Sequence, residues 1–275
     1  MNNELKHILY LVNETRGIDF TGYRASMVER RVGQRLPFAR CGTYADYYSY
    51  LQKHPVELDK LIDVLTINVS RFFRNSMTFE YMADRILPAI HHRKKATRNY
   101  SLRVWSAGCS MGEEAYSTAI LIHEFFREEG LAPDVNLFAT DIDGKILEKA
   151  RKAVYPFERI RDVKYGFLEK YFSKTENAFQ LLPEIRDMVS FSVYDILDKN
   201  SSVPPESIFG DFDMVLCRNL LIYFNTAYQE KIFEKLYGAL ARHGYLVLGE
   251  AEIPSSKYER YFRRVNDCCH IYQKV

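Results

Sequence analysis

Short apolar segments alternate with amphipathic segments between residues 102 and 248, and this alternation limits the possible folds more than any other feature of the chain. Strands that alternate with helices form an α/β domain with a largely parallel sheet, because each helix returns the chain to the same end of the sheet. The predicted strands are 102–105, 136–140, 188–193, 214–217 and 245–248, the predicted helices are 113–126, 145–154 and 228–240, and a final hairpin is predicted from 262–265 and 270–273.

The first quarter of the chain has helical patterns instead. Thr43, with Asp46 three residues later, is a capping-box-like helix start, and apolar residues recur at helical spacing in the segments that follow. A basic segment precedes them, in which Arg24, Arg31 and Arg35 lie within roughly 40° of one another on a helix. We therefore expect a small helical domain with one cationic face.

Composition narrows the class of protein. The formal net charge is only +2, so an acidic partner must meet a local patch rather than the whole molecule. No apolar run is long enough to span a bilayer, and the N-terminus lacks the pattern of a signal peptide. The five cysteines are irregularly spaced and form no pairs with histidine partners, so no metal site is predicted. These features predict a reduced, cytoplasmic protein.

Polar and glycine residues follow the predicted strands. Ligands of open α/β sheets lie outside the carboxyl ends of the strands, so these residues are candidates for one binding site. The candidates are Gly108 and Gly112 after the first strand, Asp141 after the second, Asp195 after the third, and Arg218 with Asn219 after the fourth. An acid after the second strand can accept hydrogen bonds from both hydroxyls of a ribose, although Asp141 could instead cap the next helix.

The loop after the first strand suits a cationic ligand better than a phosphate. Its G-x-x-x-G spacing is neither a dinucleotide fingerprint nor a phosphate-binding loop, and Glu113 and Glu114 would repel a pyrophosphate. One of these two glutamates is expected to face solvent. S-adenosylmethionine carries a sulfonium and an amino group, so it fits a carboxylate at this position.

Four ordered segments resemble the chemotaxis receptor methyltransferase (CheR) family. They are Asn68-Val69-Ser70-Arg71-Phe72-Phe73-Arg74, the loop from Arg103 to Glu114, Ala139-Thr140-Asp141-Ile142-Asp143, and Phe212-Asp213 with Cys217 to Phe224. The resemblance implies an all-α N-terminal receptor-docking domain (1–72) and a seven-stranded Rossmann-like class I methyltransferase domain (73–275). A small antiparallel β insert is expected at about 155–188.

The resemblance also implies S-adenosylmethionine as the cofactor and glutamate side chains of chemoreceptors as the methyl acceptors. The implied cofactor residues are Asn68, Ser70, Arg74, Gly108, Glu114, Asp141, Asp195, Ile196, Arg218 and Asn219. Arg74 and Tyr223 are the implied catalytic residues, and Phe72 and Phe73 are expected in the core. The arginines of the basic segment, Arg24, Arg31 and Arg35, are implied to dock on the receptor's cytoplasmic helical domain.

The sequence departs from the family pattern at several places. Met111 replaces a common threonine, Ala115 replaces a usual proline, and Gly249-Glu250-Ala251-Glu252 stands where G-H-S-E is typical. The stretch from Ser173 to Ala178 has no glycine, so we expect no tether to a receptor's C-terminal pentapeptide.

Two rival functions stay open. One is a methyltransferase for a small molecule or RNA, although Arg218-Asn219-Leu220-Leu221 lacks the prolines of nucleobase methyltransferases, so no nucleic-acid partner is predicted. The other is a cofactor-sensing module without catalysis, which the presence of Arg74 and Asp141 disfavours.

Overall fold

The computed structural model describes residues 2–66, 70–97, 101–132 and 134–275. The chain divides into two compact units, one formed by 1–67 with 222–229 and the other by 68–221 with 230–275. Among the helices of these described ranges, none is long and apolar enough to cross a bilayer.

The first unit is helical. Its apolar side chains, such as Leu5, Val28 and Leu61, are fully buried between the helices. The predicted capping box is confirmed: the Asp46 amide donates to the Thr43 hydroxyl at 3.1 Å, and the Thr43 amide donates to the Asp46 carboxylate at 3.1 Å. The helices are α1 (Asn3–Arg16), α2 (Ala25–Arg35), α3 (Tyr44–Lys53) and α4 (Pro55–Leu65).

A segment from late in the chain completes this helical unit. Tyr23 forms an isolated antiparallel bridge with Phe224, and their ring centroids lie 4.6 Å apart. Gly22 passes so close to Tyr228 that a Cβ atom there would lie 2.3 Å from the ring. Only glycine fits this close approach, which fastens residues 222–229 to the start of α2.

The second unit contains a seven-stranded sheet, which confirms the predicted α/β fold. Its strands are β1 (Leu102–Ala107), β2 (Val135–Asp141), β6 (Val189–Val193), β7 (Phe212–Cys217), β8 (Leu240–Leu248), β9 (Phe262–Arg264) and β10 (Ile271–Lys274). They lie in the order β6-β2-β1-β7-β8-β10-β9, in which the first five are parallel and β10 runs antiparallel to both of its neighbours. Because β1 has β2 on one side and β7 on the other, the strand order reverses there, where open α/β sheets bind ligands.

Helices cover this sheet, and their apolar faces form its core. They are α5 (Ser76–Tyr81), a π-helical turn (Met82–Ile86), α6 (Leu87–Thr97), α7 (Glu113–Glu128), α8 (Gly144–Lys152) and α12 (Thr226–Ala239). The predicted antiparallel insert is also confirmed. It comprises β3 (Val154–Tyr155), α9 (Phe157–Ile160), α10 (Tyr165–Tyr171), β4 (Phe172–Lys174), β5 (Phe179–Leu181) and α11 (Pro183–Arg186), with the sheet order β3-β5-β4.

Candidate functional site

The loop between β1 and α7 turns sharply at two glycines. Gly108 has φ +72°, and a Cβ atom there would lie 3.0 Å from the Leu220 side chain. Gly112 has φ +87°, and a Cβ atom there would lie 3.0 Å from the Phe191 ring. Both positions therefore favour glycine, because the positive φ strains any other residue and the neighbouring side chains leave little room for a Cβ atom, and this explains the G-x-x-x-G spacing.

Asp141 joins the loops that follow β1 and β2. Its carboxylate accepts hydrogen bonds from the Ser110 amide at 2.9 Å and from the Asp143 amide at 3.1 Å. Burial raises the pKa of this carboxyl group, while the bonds from these backbone amides oppose the shift. The alternative that Asp141 caps α8 is wrong, because Asp143 is the cap and accepts from the amides of Lys145 and Ile146.

Glu114 points toward the carboxyl ends of β1 and β7. It accepts a hydrogen bond from the Ser106 hydroxyl at 2.8 Å and lies 3.3 Å from the Arg218 guanidinium. Burial raises the pKa of Glu114, and Arg218 counters that shift by favouring the ionised form.

Glu113 has a different role from its neighbour. Its side chain is 0% exposed and pairs at 2.9 Å with Arg159 of α9 in the insert. Arg159 also donates to the backbone carbonyl of Ser70 at 2.8 Å. The expectation that one of the two glutamates faces solvent is therefore wrong, because Glu113 is buried against the insert and Glu114 is mostly buried at the sheet edge.

Arg218 connects this edge to the segment that contains Arg74. One guanidinium nitrogen donates to the backbone carbonyl of Arg74 at 2.8 Å and to the Asn75 side chain at 3.0 Å. The guanidinium carbon also lies 5.2 Å from the centre of the Phe79 ring. Arg218 is 6% exposed, so its position is fixed by these partners and by Glu114.

Arg74 lies at the tip of a tight turn. The residues on either side have left-handed backbone angles, φ +50° at Phe73 and φ +61° at Asn75. Such angles are costly for a bulky residue like phenylalanine and occur most often at functional sites. Phe72 and Phe73 are buried, as predicted, and the Phe73 amide donates to the Ser117 hydroxyl at 2.9 Å. Packing of these two rings holds the turn in place.

Asp195 and Ile196 follow β6 at the same edge. The Tyr194 amide donates to the backbone carbonyl of Asp141 at 3.0 Å, which keeps this loop beside the one after β2. Asp195 accepts from the Leu197 amide at 2.8 Å, and Ile196 is 8% exposed. The candidates after β1, β2, β6 and β7 are therefore brought to one edge of the sheet.

Sequence reasoning missed Glu252 at this edge. Its carboxylate accepts from the Asn219 amide at 2.8 Å and from the Gly249 amide at 2.7 Å, so it joins the loops that follow β7 and β8. The signal was present in the sequence, because Gly249 and Glu252 stand at the ends of the segment that departs from G-H-S-E and match that pattern there.

The two remaining candidates are Asn68 and Tyr223. Asn68 lies outside the described residues. Tyr223 belongs to the helical unit, where its backbone carbonyl accepts from the Arg24 amide at 2.8 Å.

The three docking arginines are not equally available. Arg24 is exposed, although its Nε donates to the backbone carbonyl of Phe224 at 3.2 Å, and Arg31 donates to the backbone carbonyl of Val64 near the end of α4. Arg35 pairs at 2.8 Å with Glu57, and the two side chains are only 13% and 9% exposed. Arg31 and Arg35 therefore stabilise the helical unit, and of the three only Arg24 is exposed to solvent.

Replacing Arg35 by alanine is expected to destabilise the helical unit by about 2 kcal/mol. Glu57 would keep a buried charge, and Tyr47 would be its remaining side-chain hydrogen-bond donor among the described residues. Loss of the helical circular dichroism signal in urea would measure the change. Arg30→Ala is the matched control, since Arg30 is exposed on the same helix. Equal stability of the two variants would contradict this role of Arg35.

Two buried polar atoms at the sheet edge have no partner in the described part of the chain. They are the hydroxyl of Ser110 in the glycine loop and Nε of Arg218. Buried polar groups are normally hydrogen-bonded, so these two atoms suit a polar ligand between the two loops.

Burial raises the pKa of the Cys109 and Cys217 thiols well above the usual range, which makes them packing residues rather than nucleophiles. Within the described ranges, no His, Cys, Asp and Glu cluster of three or more could hold a metal ion.

Comparisons with known proteins cover nearly the whole chain. Residues 68–268 match the family model described as CheR methyltransferase, SAM binding domain, and residues 3–66 match CheR methyltransferase, all-alpha domain. A chemotaxis protein methyltransferase of Escherichia coli is 31% identical over 266 residues, which are 94% of this chain and 87% of that protein. A chemotaxis protein methyltransferase 2 of Pseudomonas aeruginosa is 31% identical over 240 residues, covering 86% of this chain and 81% of that protein.

Proposed function

The chain belongs to the CheR methyltransferase family, and we propose that it methylates glutamate side chains in the cytoplasmic helical domain of a chemoreceptor. It is an enzyme that uses S-adenosylmethionine. The main support for a cofactor site at the sheet edge is the cluster of Asp141, Glu114 and Arg218 around the Gly108 loop. The proposed reaction takes place in the cytoplasm and yields a glutamate methyl ester and S-adenosylhomocysteine.

The residues at the sheet edge fit this cofactor. Asp141 would accept hydrogen bonds from the ribose hydroxyls, and Glu114 would accept them from the methionine amino group. The unpartnered Ser110 hydroxyl and Arg218 Nε are buried polar groups that a polar cofactor would satisfy. Asp195, Ile196 and Asn219 would complete the site on the sides of β6 and β7, and Ser70 with Asn68 and Arg74 would close it.

The cofactor supplies an electrophilic methyl group on its sulfonium. The acceptor glutamate has an ordinary pKa near 4.3, so it is already an anionic nucleophile at neutral pH and needs no general base. The protein must strip water from this carboxylate and hold it in line with the methyl–sulfur bond. We assign that task to Arg74, through charge-assisted hydrogen bonds, and we propose that Tyr223 assists in positioning the carboxylate.

Transfer of a labelled methyl group to receptor-containing membranes tests this function. Label that enters the receptor and is released as methanol by alkali is the expected result, because methyl esters are labile to base. Label that resists alkali, or that enters RNA or a small molecule instead, would contradict a glutamate acceptor. Binding of the cofactor with no methyl transfer to any receptor would favour the cofactor-sensing alternative.

On the receptor side, we propose that Arg24 and the exposed part of the basic segment steer the enzyme toward an acidic helical bundle. Receptor methylation should then slow as salt rises, since exposed charges are screened.

We also propose that the insert does not bind a receptor's C-terminal pentapeptide, because no glycine lies between Ser173 and Ala178. The test is calorimetric titration of that peptide into the protein. Measurable heat of binding would contradict the proposal that the insert does not bind it.

Cofactor affinity is expected to fall several-fold between pH 8 and pH 5. Burial raises the pKa of Glu114 and of Asp141 in the free protein, so both are partly protonated in mild acid. The cofactor's amino group and hydroxyls bind the ionised carboxylates better, so binding must displace those protons and weakens as the pH falls. Calorimetry of S-adenosylhomocysteine in two buffers of different ionisation heat would count the protons. Proton uptake at pH 5.5, instead of release, would contradict the argument.

A further inference from the structure

Glu252 holds together two loops that the sequence separates by about thirty residues. Glu252 is 3% exposed, and one of its carboxylate oxygens accepts from the backbone amides of both Asn219 and Gly249. These amides follow β7 and β8, which are neighbours in the sheet with Cys217 paired to Leu248. A single oxygen therefore joins the carboxyl ends of two adjacent parallel strands.

Both loops are in direct contact with this carboxylate. Asn219 has φ +59°, a left-handed angle that asparagine adopts more readily than other non-glycine residues, and the hydrogen bond from its backbone amide to Glu252 holds the turn there. A Cβ atom at Gly249 would lie 2.6 Å from the Glu252 carboxylate and 2.8 Å from the Asn219 side chain. Glycine at 249 and the acid at 252 thus form one unit, which we call the Glu252 clamp (Asn219, Gly249 and Glu252).

The clamp fixes the direction of Arg218. That residue comes directly before the left-handed turn, and its guanidinium reaches both Glu114 and the backbone carbonyl of Arg74. If the turn at Asn219 relaxed, the arginine and the asparagine would both change direction. We infer that Glu252 is a positioning residue for cofactor binding, which acts by holding Asn219 and Arg218 at the sheet edge and does not itself react. This inference rests on the proposed function.

Glu252→Ala tests the inference, with Glu250→Gln as the matched control, because Glu250 is an exposed acid in the same loop. The alanine variant removes two charge-assisted hydrogen bonds, so we expect its affinity for S-adenosylhomocysteine to fall about 10- to 30-fold. The turnover number at saturating S-adenosylmethionine should change less than about threefold, since no reacting group is lost. Glu252→Gln keeps an acceptor oxygen and should retain most of the affinity.

A second readout needs no cofactor. In the cofactor-free protein, the amides of Asn219 and Gly249 should exchange with solvent faster in Glu252→Ala than in the parent, and Glu250→Gln should leave them unchanged. A role in stability alone would lower the unfolding temperature and speed exchange of these two amides, which lose their acceptor in any case, but would leave the affinity for S-adenosylhomocysteine unaffected. That pattern would overturn the inference.

If the alanine variant fails to fold, Glu252→Asp and Gly249→Ala decide the matter. The aspartate is one methylene shorter and reaches the two amides poorly, and the alanine at 249 would collide with the clamp. Wild-type affinity in both variants would overturn the inference, and about tenfold weaker binding in both would support it. A parent protein that neither binds the cofactor nor methylates a receptor would instead contradict the proposed function.

Discussion

Turnover by the Arg74→Ala variant is expected to fall by at least about 100-fold in receptor methylation, because a group that orients the attacking carboxylate would be lost. The measured quantity is the initial rate of base-labile methyl transfer at saturating cofactor. Arg74→Lys should recover part of the rate, since it restores the charge but not the two-pronged geometry of a guanidinium.

The backbone around Arg74 explains why so large an effect is expected at this position. Two left-handed residues, Phe73 and Asn75, flank it, and a buried arginine holds its carbonyl. A chain keeps such a costly conformation only when the surrounding contacts enforce it, and here Phe73 packs on Phe79 with ring centroids 5.4 Å apart. The position of the turn is thus fixed before any substrate arrives.

Arg71→Ala is the control for this experiment. Arg71 lies in the same segment, but its side chain is 38% exposed and pairs with Asp162. We expect near-normal turnover from the control variant. Near-normal turnover from Arg74→Ala as well would remove Arg74 from the catalytic machinery, whatever its effect on cofactor affinity.

The sequence predicted the central sheet well because its strands are short apolar runs that are followed by polar or glycine residues. The strand β8 shows the limit of this approach. It begins at Leu240, although the pattern predicted a start at Tyr245. The residues between include Arg242 and His243, which are exposed at this end of the strand, so the apolar pattern begins only after them.

The candidate site was partly predictable because several of its residues lie at or just after the carboxyl ends of predicted strands. Asp141 ends β2, Arg218 directly follows β7, and Glu114 lies in the first turn of α7 after the loop that follows β1. The rule for open sheets therefore places the three residues together. Glu252 lies four residues beyond its strand and reaches back to Asn219. Strand and helix periodicity does not encode that contact, and only the match to G-H-S-E at Gly249 and Glu252 signals it.

The arginines of the basic segment show what helical spacing does not reveal. Helical spacing put Arg31 and Arg35 on one face, and the expectation of a free cationic surface followed from that spacing. The partners of these residues, the Val64 carbonyl and Glu57, lie on α4, which is distant in sequence. Whether an arginine faces water or a buried acid depends on packing between helices, and a periodic pattern does not contain that information.

Arg159→Met is expected to lower the free energy of unfolding by about 3 kcal/mol, because it breaks a buried ion pair. The substitution leaves Glu113, at 0% exposure, with a hydrogen bond to Ser70 but without its cationic partner, and one of its oxygens already has no hydrogen-bond partner among the described residues. Trp105 is the only tryptophan and is buried in β1, so its fluorescence in a urea titration reports on this unit. Arg161→Met is the control, because the Arg161 side chain is 57% exposed.

The pH dependence of this deficit identifies its cause. Burial already raises the pKa of Glu113, and Arg159 opposes that shift, so removing Arg159 raises the pKa further. A carboxyl group with a raised pKa in the folded state costs nothing below its unfolded pKa and destabilises the fold as the pH rises through the folded value. The gap between Arg159→Met and the parent should therefore narrow as the pH falls toward about 4.5.

Neutralising the acid should have the same effect as lowering the pH. In the double variant Glu113→Gln with Arg159→Met, no charge is left buried, so most of the lost stability should return at neutral pH. A deficit that is the same at all pH values and persists in the double variant would mean that the lost packing of Arg159, and not the charge of Glu113, determines the stability. In that case Arg159 would stabilise the insert by filling space against α7, and the ion pair would contribute little.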